Sequence, residues 1–186
     1  MYIRSFISLS FCALFYFPGS LFASSVSIQA DQAKVSLGEK LLVLEDVEGT
    51  LTIDDILQPN TAARFQESGV ETPNYGYTHS IYWFSLELTS SEDEALSKLL
   101  EIAYSHLDKV TAYLFLDAKE KEIIEFGDKY QFDKRAIEHR NFLLPINLPS
   151  RSSLRIIFRV ETSSSMRFPI VLWGWEGFLE EDSGAI

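Results

Sequence analysis

The stretch Ile81-Tyr82-Trp83-Phe84-Ser85-Leu86-Glu87-Leu88 constrains the fold more than any other part of the chain. Tyr82, Phe84, Leu86 and Leu88 fall on alternate positions, the two-residue period of a strand with one face in a core. The run is aromatic and apolar enough to read as a central strand. Before it lies Pro73-Asn74-Tyr75-Gly76-Tyr77, where proline fixes one backbone angle, asparagine tolerates a left-handed one and glycine permits any. An aromatic-rich loop feeding a central strand suits a β-sandwich with an exposed recognition surface.

Seven further segments carry strand signals: Lys40 to Asp46, Lys98 to Ala103, Asp108 to Leu116, Glu122 to Phe126, His139 to Leu148, Leu154 to Thr162 and Arg167 to Trp173. Leu154, Ile156, Phe158 and Val160 alternate cleanly with Arg155, Ile157, Arg159 and Glu161. Asp108 to Leu116 is apolar on both faces, which predicts cover on both sides. Pro145 cannot donate to a ladder, so its strand needs a free edge or a bulge. The helical signal is short: Thr52 is placed as an N-cap, Asp54 and Asp55 in the first turn, and Pro59 ends the segment. No helix separates successive strands, which excludes a parallel α/β sheet. The fold class is therefore all-β, an antiparallel jelly-roll sandwich of about eight strands with one or two short helices.

Residues 1–23 read as a secretory signal peptide: Arg4, an apolar run from Phe6 to Phe17, Pro18-Gly19 and a small-residue end at Ala23. Cleavage is placed after Ala23, with Ser25 as the alternative. The run is roughly 12 residues, short of the ~20 that span a bilayer. Cys12 is the only cysteine and lies inside this segment. Export without disulfides predicts a bacterial periplasm or the outer face of the inner membrane of a Gram-negative cell, and a domain held by its core alone. Residues 24–37 read as an extended lead-in, 38–178 as the folded domain and 179–186 as a polar tail.

The formal charge of −11 argues against nucleic acid and anionic membrane as partners. His79, His106 and His139 lack a second ligand type at metal spacing, so neither metal nor cofactor is expected. Carboxylate pairs such as Asp54 with Asp55 and Glu180 with Glu181 sit among other charges, not across an apolar cleft. The serines of Ser163 to Ser165 lack a nucleophile elbow. A glycan hydrolase is thus the weakest reading. The better candidate is a binding constellation of Tyr77, Trp83, Arg135, His139, Arg140, Asn141 and Arg159, with Tyr75 and Tyr82 beside it. Flat aromatic faces with forked or planar donors are how sugars are held. A protein-interaction module is the rival, its acidic exterior and the Pro145 strand docking another subunit, membrane signalling subunits included, or a partner protein.

Several motifs share one resemblance. Asn74-Tyr75-Gly76-Tyr77-Thr78 with Ser80-Ile81-Tyr82-Trp83-Phe84, Leu100-Glu101-Ile102-Ala103-Tyr104 with Leu107-Asp108, His139-Arg140-Asn141 with Pro145, and Arg159-Val160-Glu161 with Ser163-Ser164 resemble the type 2 extracellular domain of bacterial seven-transmembrane receptors with diverse intracellular signalling modules. The resemblance covers roughly Leu37 to Phe178. It implies a jelly roll similar to carbohydrate-binding modules, a non-catalytic sensor for a carbohydrate or related small molecule, and a following membrane bundle with a cytoplasmic output. The sequence stops at Ile186, where that bundle would begin, so the expectation is either a truncated receptor or a domain acting alone.

Overall fold

The structure is a computed structural model that describes residues 25–129, 137 and 139–184. The expected signal peptide and Arg135 lie outside the described residues.

Thirteen strands form among the described residues: β1 (Ser25–Ser27), β2 (Lys34–Ser36), β3 (Leu42–Asp46), β4 (Gln66–Glu67), β5 (Asn74–Tyr77), β6 (Ile81–Thr89), β7 (Leu96–Ile102), β8 (Lys109–Leu116), β9 (Lys119–Phe126), β10 (Phe142–Leu148), β11 (Ser153–Glu161), β12 (Ser165–Arg167) and β13 (Ile170–Trp173). Three helices accompany them: α1 (Ile53–Ile56), α2 (Pro59–Ala62) and α3 (Trp175–Ser183). The eight segments that the sequence announces are β3, β6, β7, β8, β9, β10, β11 and β13. The extra strands β1, β2, β4, β5 and β12 are two to four residues long, too short to show a period.

A large sheet runs β4-β3-β6-β11-β8-β9, and β1 joins β6 in parallel beyond the end of β3. A smaller sheet runs β10-β7-β13-β2, and β12 pairs β5 separately. The two main sheets form an antiparallel jelly-roll sandwich. Its core takes the expected alternate residues: Tyr82, Phe84, Leu86 and Leu88 from β6, and Leu154, Ile156, Phe158 and Val160 from β11. Leu100, Ile102, Leu144, Ile146 and Leu172 meet them from the small sheet. Phe168 closes one end, its ring 4.2 Å from that of Phe84 and parallel to it within 6°. Pro145 lies on β10, the edge of the small sheet, so its missing N–H breaks no ladder.

Two readings of the ends change. The expected extended lead-in over residues 24–37 is, in its described part, two short strands either side of a turn, pinned to the sandwich as β1 on β6 and β2 on β13. The polar tail is largely helix: α3 lays Phe178 against Leu99, Leu143 and Trp173 on the outer face of the small sheet. Polar residues dominate α3, so one buried anchor, Phe178, was too little pattern to announce a helix.

The capping prediction is met in full. Thr52 Oγ1 accepts from the Asp55 N–H at 3.3 Å, while Asp55 Oδ2 accepts from the Thr52 N–H at 2.9 Å. Pro59 does more than end α1, because it is the first residue of α2. The pair α1–α2 covers the outer face of the large sheet over Leu44, Ile81, Trp83 and Ile157.

Candidate functional site

Six of the seven residues expected in one constellation are described, and they fall in separate regions. Trp83 and Arg159 are directly opposed in the β6–β11 register and share the outer face of the large sheet. The Arg159 guanidinium carbon stands 6.0 Å from the Trp83 ring centroid, and the Tyr113 ring stacks at 6.2 Å. Trp83 is nonetheless fully buried, because α1–α2 roofs it. Its Nε1 has no hydrogen-bond partner. Arg159 leans on Glu161 at 3.5 Å. This pair is packed, with the indole face closed to solvent.

Tyr77 lies elsewhere, 85% exposed on β5 and opposite Ser165 of β12. Its neighbour Tyr75 stacks on Tyr82 at 4.5 Å. Burial, together with the charge of Glu45, pushes the Tyr75 and Tyr82 hydroxyls above the ordinary tyrosine value.

His139, Arg140 and Asn141 gather on the far side, where they fasten α3. The Asn141 N–H donates to His139 Nδ1 at 3.1 Å, which leaves the proton on Nε2 to face Asp182 Oδ1 at 3.1 Å. Arg140 reaches the same oxygen at 4.0 Å. Asn141 Nδ2 donates to Glu101 Oε1, whose other oxygen accepts from the Trp173 indole at 2.8 Å. The His139 ring also meets Phe178 edge-on at 5.4 Å.

A concave site among the described residues lies at the opposite end of α3. Strand β13 stops at Trp173, opposite Leu99, and the chain turns so that the Gly174 N–H donates to Ala33 O. The neighbouring edge of β7, Ser97 and Lys98, is thereby left unpaired on that side. A cleft of about 350 Å³ opens there, between β7, the turn over residues 30–33 and the first turn of α3. That size suits a small ligand.

Lys98 forms the inner wall. It shares a face of β7 with Leu96, Leu100 and Ile102, so alternation drives its stem toward the core. Only 4% of it is exposed. Its Nζ emerges under the 30–33 turn and donates to Ala30 O and Gln32 O, both at 2.9 Å. Desolvation lowers its pKa, against the opposing charges of Asp31 and Glu92. Trp175 forms the outer wall, 37% exposed, with its Nε1 held on Ser97 Oγ at 3.1 Å. Asp31, Gln32 and Glu176 complete the polar lining. The packing is close: a Cβ on Gly177 would stand 2.9 Å from Ala33 O.

Sequence reasoning passed over Lys98 and Trp175. A lysine in phase with Leu96, Leu100 and Ile102 was the available signal, since such a position must bury its stem. Trp175 carried none, because its partner Ser97 is 78 residues away.

The family model of the 7TMR-DISM extracellular 2 domain matches residues 38–174. The chain belongs to this family. The matched span of the 7TMR-DISM extracellular 2 domain runs to Gly174, the N-cap of α3, and includes Ser97 and Lys98. Strands β1 and β2 lie outside it yet complete the two sheets. This is an extracellular sensor-domain family of membrane receptors. The structure of a family GH115 4-O-methyl-alpha-glucuronidase, with specificity for decorated arabinogalactans, is similar over 80% of this chain and 18% of that one. The identity is 12% and the TM-score 0.39. The chain thus spans less than a fifth of that enzyme's length. No curated protein matches the chain.

Proposed function

We propose that this domain is the non-catalytic, periplasmic ligand-binding part of a membrane signalling receptor of a Gram-negative bacterium, and that it takes a small carbohydrate-like ligand in the Lys98–Trp175 cleft. The observation that carries this reading is Trp175, a half-exposed indole held by Ser97 at the mouth of a polar cleft. A sugar ring offers such an indole its C–H face, and the donors and acceptors around it suit hydroxyl groups. Helix α3 starts at the cleft and is held near its other end by His139 on Asp182, so occupation of the cleft bears directly on this helix.

The test is a thermal-shift screen of the purified chain against neutral and acidic mono- and disaccharides. A binder raises the melting temperature by mass action. Trp175→Ala is expected to abolish that rise while leaving the ligand-free melting temperature within a few degrees. A rise that survives Trp175→Ala moves the site elsewhere. No rise with any sugar ends the carbohydrate reading.

A further inference from the structure

We infer that the cleft selects a sugar that carries a carboxylate, a uronic-acid type of ligand, with the acid group on Lys98. This rests on the proposed function above and names its ligand class.

An ammonium has three N–H donors, and Lys98 Nζ spends two on Ala30 O and Gln32 O. None of the ion pairs among the described residues includes it. This cation is deeply buried, lines the cleft and holds a spare donor, and the opposing charges that act on it, Asp31 and Glu92, stand outside ion-pair contact. Burying a charge without a contacting partner is costly, and a ligand carboxylate would reduce the cost that Asp31 and Glu92 leave.

The surroundings agree. The first turn of α3 borders the same cleft and has no side-chain cap, so its leading N–H groups lack intrahelical acceptors. The N-terminal end of a helix adds partial positive charge to the cleft that Lys98 also lines. The two carboxylates of the lining, Asp31 and Glu176, are exposed at the rim, where water screens them. The Lys98 charge is not screened in that way. The rim carboxylates are then acceptors for sugar hydroxyls, and Trp175 takes the ring face.

The experiment compares sodium glucuronate with glucose by isothermal titration and thermal shift, using the purified chain at fixed ionic strength. Sodium acetate serves as the control for a bare carboxylate. Glucuronate is expected to bind at least tenfold more tightly than glucose, and to weaken as salt rises. Lys98→Met is expected to erase that preference. Circular dichroism and the ligand-free melting curve report whether Lys98→Met folds; if it does not, the salt dependence and Trp175→Ala decide. Equal binding of glucose and glucuronate, or acetate binding as well as glucuronate, overturns the inference. Equal binding of the two sugars leaves the carbohydrate reading standing. Binding of neither sugar, with the neutral panel also silent, overturns both.

Discussion

Asn141 Nδ2 donates to Glu101 Oε1 across 2.6 Å, and that bond joins the entrance of edge strand β10 to the strand beside it. The second oxygen of Glu101 holds Trp173 of β13, so one carboxylate ties three neighbouring strands. The same strip carries His139 and Phe178, which bind α3 down. Residues that read as ligand donors in the sequence are here engaged within the chain.

Glu101→Ala should therefore cost more than an ordinary surface change. It leaves Asn141 Nδ2 and the Trp173 indole N–H without acceptors in a buried strip, worth about 3 kcal/mol. Urea unfolding at neutral pH measures it. A loss under about 1 kcal/mol would show that water replaces the carboxylate and that the tie carries little.

How far the fold could be read in advance follows from where each constraint acts. Phe84 and Phe158 announce their strands because period two is written locally, and Thr52 announces its cap because its partner is three residues on. Trp83 was legible as a strand residue, yet its burial depends on α1–α2 folding over it. The register that opposes Trp83 to Arg159 brings together positions far apart in the chain. His139 and Asn141 show the same limit: donors beside one another in sequence do not reveal that Asp182 and Glu101 pair with them.

Trp83 separates packing from hydrogen bonding. Its Nε1 is buried and unpartnered, so removing that atom forfeits no bond. Trp83→Phe should cost only about 1–2 kcal/mol, the lost volume offset by the removed N–H, while Trp83→Ala should cost about 3–5 kcal/mol. Chemical denaturation of both variants tests it. Equal costs would mean that the indole N–H has an acceptor.

Asp108 gives the stability a pH dependence of known sign. Burial pushes its carboxyl up, but hydrogen bonds from Lys129 Nζ and from Ser163, with the Lys129 charge, outweigh it and hold the pKa below the ordinary 3.8. A carboxyl depressed in the folded state adds stability above its unfolded pKa, and loses it as pH falls through the folded value. Asp108→Asn should lower the melting temperature at pH 7, with the deficit shrinking below about pH 4 as the wild-type carboxyl protonates. A deficit that is constant from pH 7 to pH 3 would assign the effect to shape, not charge.

The β8–β9 hairpin stores strain that a single change can release. Asp117 and Ala118 form its two-residue turn, with φ of 47° and 64°. Positive angles at both positions are those of a type I′ turn, the geometry that matches the twist of paired strands and that favours Asn-Gly or Asp-Gly. Asp117 suits its place and also accepts from the Ser153 N–H at 3.0 Å. Ala118 does not, because its Cβ crowds the backbone in the left-handed region at a cost of about 1–2 kcal/mol. Glycine relieves that crowding but gains freedom in the unfolded chain, which offsets part of it. Ala118→Gly should stabilise the domain by about 0.5–1 kcal/mol, and Ala118→Val should destabilise it by more than about 1 kcal/mol. Denaturant midpoints of the two variants, compared at equal slope, decide the matter: a destabilising glycine would show that the turn adopts another geometry.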